Sequence, residues 1–180
     1  MPVTTCVRTV KSALKSLPLD LVFWNTGAGW SEAELRIGER TERLSMTHVF
    51  NDPNEEIARA TVELLDGSKA SRFHWLEEPG TKEFFFQRPD QSPRLLLRFR
   101  TFGEIYVDAV PDRTAPHVAI TVETHLAYWV TLVQTSLART AALARHSLYS
   151  SWNDAQVPHR GLARMEAFLH EQSRRFGKRG

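Results

Sequence analysis

The sequence predicts an α+β domain: a bent antiparallel sheet of six to eight strands with an inserted capped helix, and two C-terminal helices packed on one face. Three observations lead there. Apolar residues alternate with period two through most of residues 20–123. One strong helix start, at Asp52, interrupts that alternation. After His125 the apolar residues return to helical spacing and keep it through most of the remaining chain.

In chain order, Val7, Val10, Leu14 and Leu17 recur at helical spacing beside Arg8, Lys11 and Lys15, and Pro18 stops the run, so an amphipathic helix opens the chain. Three charges and so short a stripe favour docking on the protein's own sheet over a lipid surface. A short strand over Leu21–Trp24 follows, then a connecting loop from Asn25 to Gly29. Ala33, Leu35 and Ile37 alternate with charged residues, Gly38-Glu39 occupies the place of a tight turn, and Leu44, Met46, His48 and Phe50 alternate again, which predicts a hairpin.

Asp52-Pro53-Asn54-Glu55 then combines an N-cap acceptor, a proline at the first helical position and an acid in the first turn. Ile57, Ala60, Thr61 and Leu64 make the buried face of that helix, and Gly67 ends it. Phe73 and Trp75 alternate with Arg72 and His74, Glu78-Pro79-Gly80 suits a type II turn, and Phe84 and Phe86 continue on the returning strand. Leu95, Leu97 and Phe99 alternate with Arg94, Arg98 and Arg100 except at Leu96, a short strand is expected over Glu104–Ala109, and Val118, Ile120 and Val122 close the series. A long helix carries Leu126, Trp129, Val133, Leu137, Ala141, Ala144 and Leu148 on one stripe and ends in the polar stretch from Ser150 to Pro158. A last helix over Leu162–Arg174 presents Leu162, Met165, Phe168 and Leu169. Residues 1–173 are expected to form one domain and 174–180 a basic tail.

Composition removes several function classes. With 42% hydrophobic and 24% charged residues the 180-residue chain is neither disordered nor fibrous, and it is long enough to bury a core. Its apolar runs fall far short of the roughly 20 residues of a membrane-spanning helix. No export signal is read at the N-terminus. Cys6 is the only cysteine, so neither an intramolecular disulfide nor a cysteine-based zinc site can form within the chain, which fits a reducing, cytoplasmic setting. The formal charge of +2 rests on the C-terminus: without Arg174, Arg175, Lys178 and Arg179, 23 basic groups become 19 against 21 acidic ones, a net of −2. A nucleic-acid domain would carry a clustered basic face instead.

Chemical motifs are sparse. Asn25-Thr26-Gly27-Ala28-Gly29 lacks the third glycine of a dinucleotide fingerprint, because Glu32 stands there. His117, Glu123 and His125 would share a strand face if alternation reached His125, but an i, i+2 pair of ligands does not make a metal site and a third would have to come from elsewhere. Glu166 and His170, one turn apart, suit a surface pair. No serine lies in a nucleophile elbow, and no catalytic residue, metal or cofactor is assigned.

From Asp52 onward the order of elements resembles a family of uncharacterised bacterial cytosolic proteins, some of which are immunity-protein-like. The matching residues are Asp52-Pro53 with the helix to Gly67, then Trp75-Leu76-Glu77-Glu78-Pro79-Gly80 in the pattern Trp-x-x-Glu-Pro-Gly. Arg88, Arg94, Leu97 and Arg98 and the long helix from Leu126 complete the match. It covers about two-thirds of the chain and implies a fold and, by analogy with proteins that neutralise a toxin, a protein partner.

The expected function is therefore non-enzymatic protein binding by surface complementarity, with a cognate toxin as the model partner. Trp75, Glu77, Glu78, Arg88, Arg94, Arg98 and Arg100 are its candidate contact residues. Against this stands a bland alternative, that the arginines form a solvent face paired with acids such as Glu83 or Glu104. Two other functions stay open. A small-ligand enzyme or sensor would need a pocket between sheet and long helix lined by Trp129, His125 and an arginine. A nucleic-acid binder would use the Arg-rich strand and the basic tail.

Overall fold

The computed structural model describes residues 18–27, 29–89, 92–106, 114–144 and 157–177. The expected N-terminal helix, Cys6, Leu148 and the end of the basic tail lie outside the described residues. Among the described residues ten elements follow one another: β1 (Leu19–Gly27), β2 (Trp30–Ile37), β3 (Arg40–Thr47), α1 (Pro53–Leu65), β4 (Ala70–Glu77), β5 (Gly80–Gln87), β6 (Arg94–Phe102), β7 (Val118–His125), α2 (Leu126–Ala144) and α3 (His159–Gly177).

The α+β class and the antiparallel pairing are as expected, but the single sheet is not. The strands form two sheets, β1-β2-β3 and β4-β5-β6-β7. The reason lies in how the facing edge of β4 is satisfied. Arg88 N donates to Lys69 O at 2.7 Å, extending the β4–β5 ladder, so the odd-numbered carbonyls of β4 face β5 and the even ones face outward. Those outward carbonyls are taken by side chains: Asn51 Nδ2 donates to His74 O at 3.0 Å and Arg59 Nη2 to Arg72 O at 3.0 Å. A strand cannot continue the ladder where side chains occupy its acceptors. β3 lies beside β4 without pairing to it.

Local chemistry explains most boundaries. Asp52 accepts hydrogen bonds from Asn54 N and Glu55 N, at 2.9 and 3.4 Å, and Pro53 opens α1. Gly67 follows the helix at φ +98°, a conformation glycine adopts without a Cβ penalty. At the β4–β5 turn the Glu78–Pro79 peptide is cis and Gly80 already pairs with Glu77, so the turn is not the expected type II. β1 runs through Asn25 to Gly27, where a loop was expected, and β3 stops at Thr47 instead of Phe50. Of the strand expected over Glu104–Ala109, residues 107–109 lie outside the described residues, and Glu104 to Tyr106 are not in a strand: Thr81 Oγ1 donates to Glu104 O and accepts from Tyr106 N, both at 2.8 Å, which folds the segment over the end of β5.

The inner faces of both sheets and the helices α1, α2 and α3 share one core. Phe23 of β1 meets Trp75 of β4 edge-on at 5.8 Å, joining the two sheets. Phe73 stacks on Phe84 at 4.5 Å, and Phe86 touches Trp129 of α2 at 4.7 Å. α2 lies along β1, where Tyr128 Oη donates to Leu19 O at 2.8 Å, while α1 lies on β4. α3 packs on α1 and α2 instead of on a sheet, which corrects the expectation that both C-terminal helices cover one sheet face. Gly161 allows this close approach, because a Cβ there would lie 3.0 Å from the Cβ of Ala58.

Candidate functional site

The outer face of the four-stranded sheet carries most of the chemistry. Register places its side chains in rows across β4, β5 and β6. One row is Arg72, Phe85 and Arg98; the next is His74, Glu83 and Arg100. Neighbours in a row sit directly opposite one another and interact across the ladder.

The second row is closed. Glu83 is 1% exposed and His74 5%, unusual values for the face of a sheet turned away from the core. Arg100 Nε and Nη2 both donate to Glu83 Oε2, and His74 Nε2 stands 3.6 Å from Oε1. Burial pushes the Glu83 carboxyl upward, but the His74 ring and the Arg100 guanidinium outweigh that and hold it below the usual carboxylate range. The charge of Arg100 is thereby neutralised, and its guanidinium also lies 5.3 Å from the centre of the Phe102 ring.

The first row is open. Phe85 is half-buried, and the exposed guanidinium groups of Arg72 and Arg98 lie 5.3 and 5.7 Å from its ring centre, within cation–π range. Among the described residues neither Arg72 nor Arg98 has an acidic partner. A shallow cavity of about 330 Å³ adjoins the row, lined by Arg59, Glu63, Arg72 and Phe85.

The seven expected contact residues do not converge. Trp75 is in the core, its Nε1 donating to Pro53 O at 3.1 Å. Glu77 pairs with Lys82 at 2.6 Å, and Glu78 is exposed at the turn. Arg88 reaches Leu64 O at 2.9 Å and Ser92 O at 3.2 Å, which ties the end of α1 to the sheet. Arg94 makes a two-pronged pair with Glu123 at 2.9 and 2.8 Å. Arg100 is held by Glu83, as the acid-paired alternative anticipated, whereas Glu104 bonds to Tyr106 Oη. Arg98 alone of the seven stands in the open row. Arg72 and Phe85 were missed, although the run Phe84-Phe85-Phe86 carried the signal: alternation turns its middle ring to the opposite face from its neighbours.

Other expected chemistry is dispersed. Trp129 is buried where α2 meets the sheet, whereas His125 and Arg94 line a surface cavity of about 490 Å³ with Glu123 and Tyr128. His125 Nδ1 accepts from Ala127 N at 3.2 Å. Among the described residues no three His, Cys, Asp or Glu side chains are grouped to hold a metal ion. No described helix is long and apolar enough to cross a membrane.

A second polar cluster sits beneath the start of α1. Ser31 Oγ donates to Asn25 Oδ1 at 2.8 Å and lies 2.7 Å from His48 Nε2, while His48 Nδ1 is 3.9 Å from Asp52 Oδ1. The order serine, histidine, aspartate follows a hydrolytic triad, but the Ser31 side chain is fully buried and Asp52 is committed to capping α1. Its work is to join β1, β2 and the segment after β3 to the helix. Burial lowers the His48 pKa below the usual 6.5, against the opposing pull of Asp52. A histidine depressed on folding contributes stability above its unfolded pKa, and that contribution is lost as pH falls from about 6.5 through the folded value. The expected result is a thermal midpoint that drops between pH 7 and pH 5, with the drop reduced in His48→Gln, measured by circular dichroism.

Compared with known families, with curated proteins and with solved structures, the chain matches none.

Proposed function

We propose that this chain is a non-enzymatic protein-binding domain that works in the bacterial cytoplasm and holds an acidic protein surface through Arg72, Phe85 and Arg98, in the manner of an immunity protein on a toxin. The observation that carries the reading is the open row itself: two exposed guanidinium groups without an acidic partner among the described residues, both against one half-buried ring. Arginine and aromatic side chains supply much of the energy of protein interfaces, because a flat ring and a flat guanidinium bury area at small conformational cost. Carboxylates of a partner would find both arginines ready to form forked pairs. The neighbouring row supports this by keeping Arg100 and Glu83 occupied with each other, so the net charge presented comes from Arg72 and Arg98. Two free guanidinium groups make a poor track for a phosphate backbone, which disfavours the nucleic-acid reading.

Affinity capture from the source cell tests the proposal. Wild-type protein is expected to retain an acidic protein that the Phe85→Ala and Arg98→Glu variants do not. Once that partner is purified, Phe85→Ala should weaken binding by about 2 kcal/mol, roughly 30-fold. Equal retention by wild type and both variants would remove the reading.

A further inference from the structure

Hydrogen counting in the polar cluster beneath α1 fixes the state of His48. Ser31 Oγ carries one hydrogen, and it goes to Asn25 Oδ1 at 2.8 Å. Asn54 Nδ2 donates to the same oxygen at 3.3 Å, which keeps Asn25 Oδ1 an acceptor. The hydrogen between Ser31 Oγ and His48 Nε2, 2.7 Å apart, therefore belongs to the ring. Neutral His48 is the Nε2–H tautomer, and its Nδ1 presents a lone pair.

That lone pair faces a carboxylate. Asp52 Oδ1 lies 3.9 Å from His48 Nδ1, beyond hydrogen-bond length, although the His48 side chain is only 5% exposed. Among the described residues Nδ1 has no hydrogen-bond partner. Two acceptors cannot bond to each other, but a protonated ring donates from both nitrogens, and Nδ1–H would then point at Asp52. The oxygen it would reach is already in use. Asp52 Oδ1 caps α1, accepting from Asn54 N at 2.9 Å and from Glu55 N at 3.4 Å. Asp52 is the one charged group among the described residues that acts on the ring; Asn25 of β1, Ser31 of β2 and Asn54 of α1 complete the cluster without charge.

We infer that His48 is a proton switch on the N-terminal cap of α1: a proton at Nδ1 makes a new bond to Asp52 Oδ1 and draws that oxygen from the first-turn amides. The longer bond, from Glu55 N, yields first. Ser31 and Asn25 are held in paired strands, so the part that adjusts is the link between β3 and α1, to which His48 and Asp52 both belong. That link carries Val49 and Phe50 exposed, 75% and 41%, so the proton alters the placement of an apolar pair at the surface.

Nitrogen-15 NMR of the full chain across pH 8 to pH 5 tests the inference. At pH 8 the His48 ring is expected with its hydrogen on Nε2. Burial opposes the charged ring, so its midpoint should fall below 6.5. The Glu55 amide proton should move upfield along the same curve, as a lengthened hydrogen bond requires, while the strand amides keep their folded positions. Asp52→Asn keeps a good cap residue but removes the charge that favours the protonated ring, so the His48 midpoint should drop further. A neutral ring with its hydrogen on Nδ1 would overturn the inference. So would a Glu55 amide that ignores the His48 curve, an unchanged or raised midpoint in Asp52→Asn, or unfolding of the whole chain before the ring titrates.

Discussion

Replacing Trp129 with alanine is expected to lower the unfolding free energy by about 3–5 kcal/mol. The side chain has no exposed surface and lies where three elements meet: its ring contacts Phe86 of β5 at 4.7 Å, and its Nε1 donates to Thr61 Oγ1 of α1 at 3.1 Å while the backbone belongs to α2. Truncation removes the transfer energy of an indole and leaves a cavity that two helices and a strand cannot all collapse into. Thr61 loses a donor but keeps its own bond to Ile57 O at 2.8 Å, so the polar part of the cost is small and the packing part dominates. Trp129→Phe should cost clearly less, because most of the ring volume remains. Urea unfolding of the two variants checks this, with an unchanged slope showing that the unfolded state is the same.

The second large effect is expected at Arg100. Arg100→Ala leaves the Glu83 carboxylate, 1% exposed, with the His74 ring as its one remaining partner among the described residues, and breaking such a pair from one side costs about 3–5 kcal/mol. The cost depends on pH in a definite direction. Glu83 ionises below its ordinary value in the folded wild type, so the pair stabilises above the unfolded carboxyl pKa of 4.5 and that stabilisation is lost as pH falls through the folded value. The variant should therefore approach wild-type stability as the solution is acidified. Removing both partners together, Glu83→Gln with Arg100→Met, should cost much less than the sum of the single changes, which a double-mutant cycle in urea measures.

What could be read ahead of the structure was what local chemistry decides. Asp52, Pro53 and Gly67 mark α1 by capping and backbone geometry, and the Gly38-Glu39 turn marks the β2–β3 hairpin, because both signals lie within a few residues of their effect. The separation of the two sheets was not legible. It depends on Asn51 and Arg59 reaching carbonyls of His74 and Arg72, and nothing in the alternation of β3 or β4 shows that those acceptors are spoken for. The same limit applies at the site. Alternation turns Arg94, Arg98 and Arg100 to one face, but only register shows that Glu83 lies opposite Arg100 and Phe85 opposite Arg98. Charge neutralised in one row and left open in the next is a property of strand pairing, invisible along a single strand.

The proposed protein partner meets the Arg72–Phe85–Arg98 row. Site-specific photo-crosslinking in the source cell tests this contact, with the photoreactive amino acid placed at Phe85 and, as a control, at Arg43 on the outer face of the three-stranded sheet. Crosslinks from position 85 to one acidic protein, with none from position 43, are the predicted result. Crosslinks from position 43 alone, or from neither position, would contradict it.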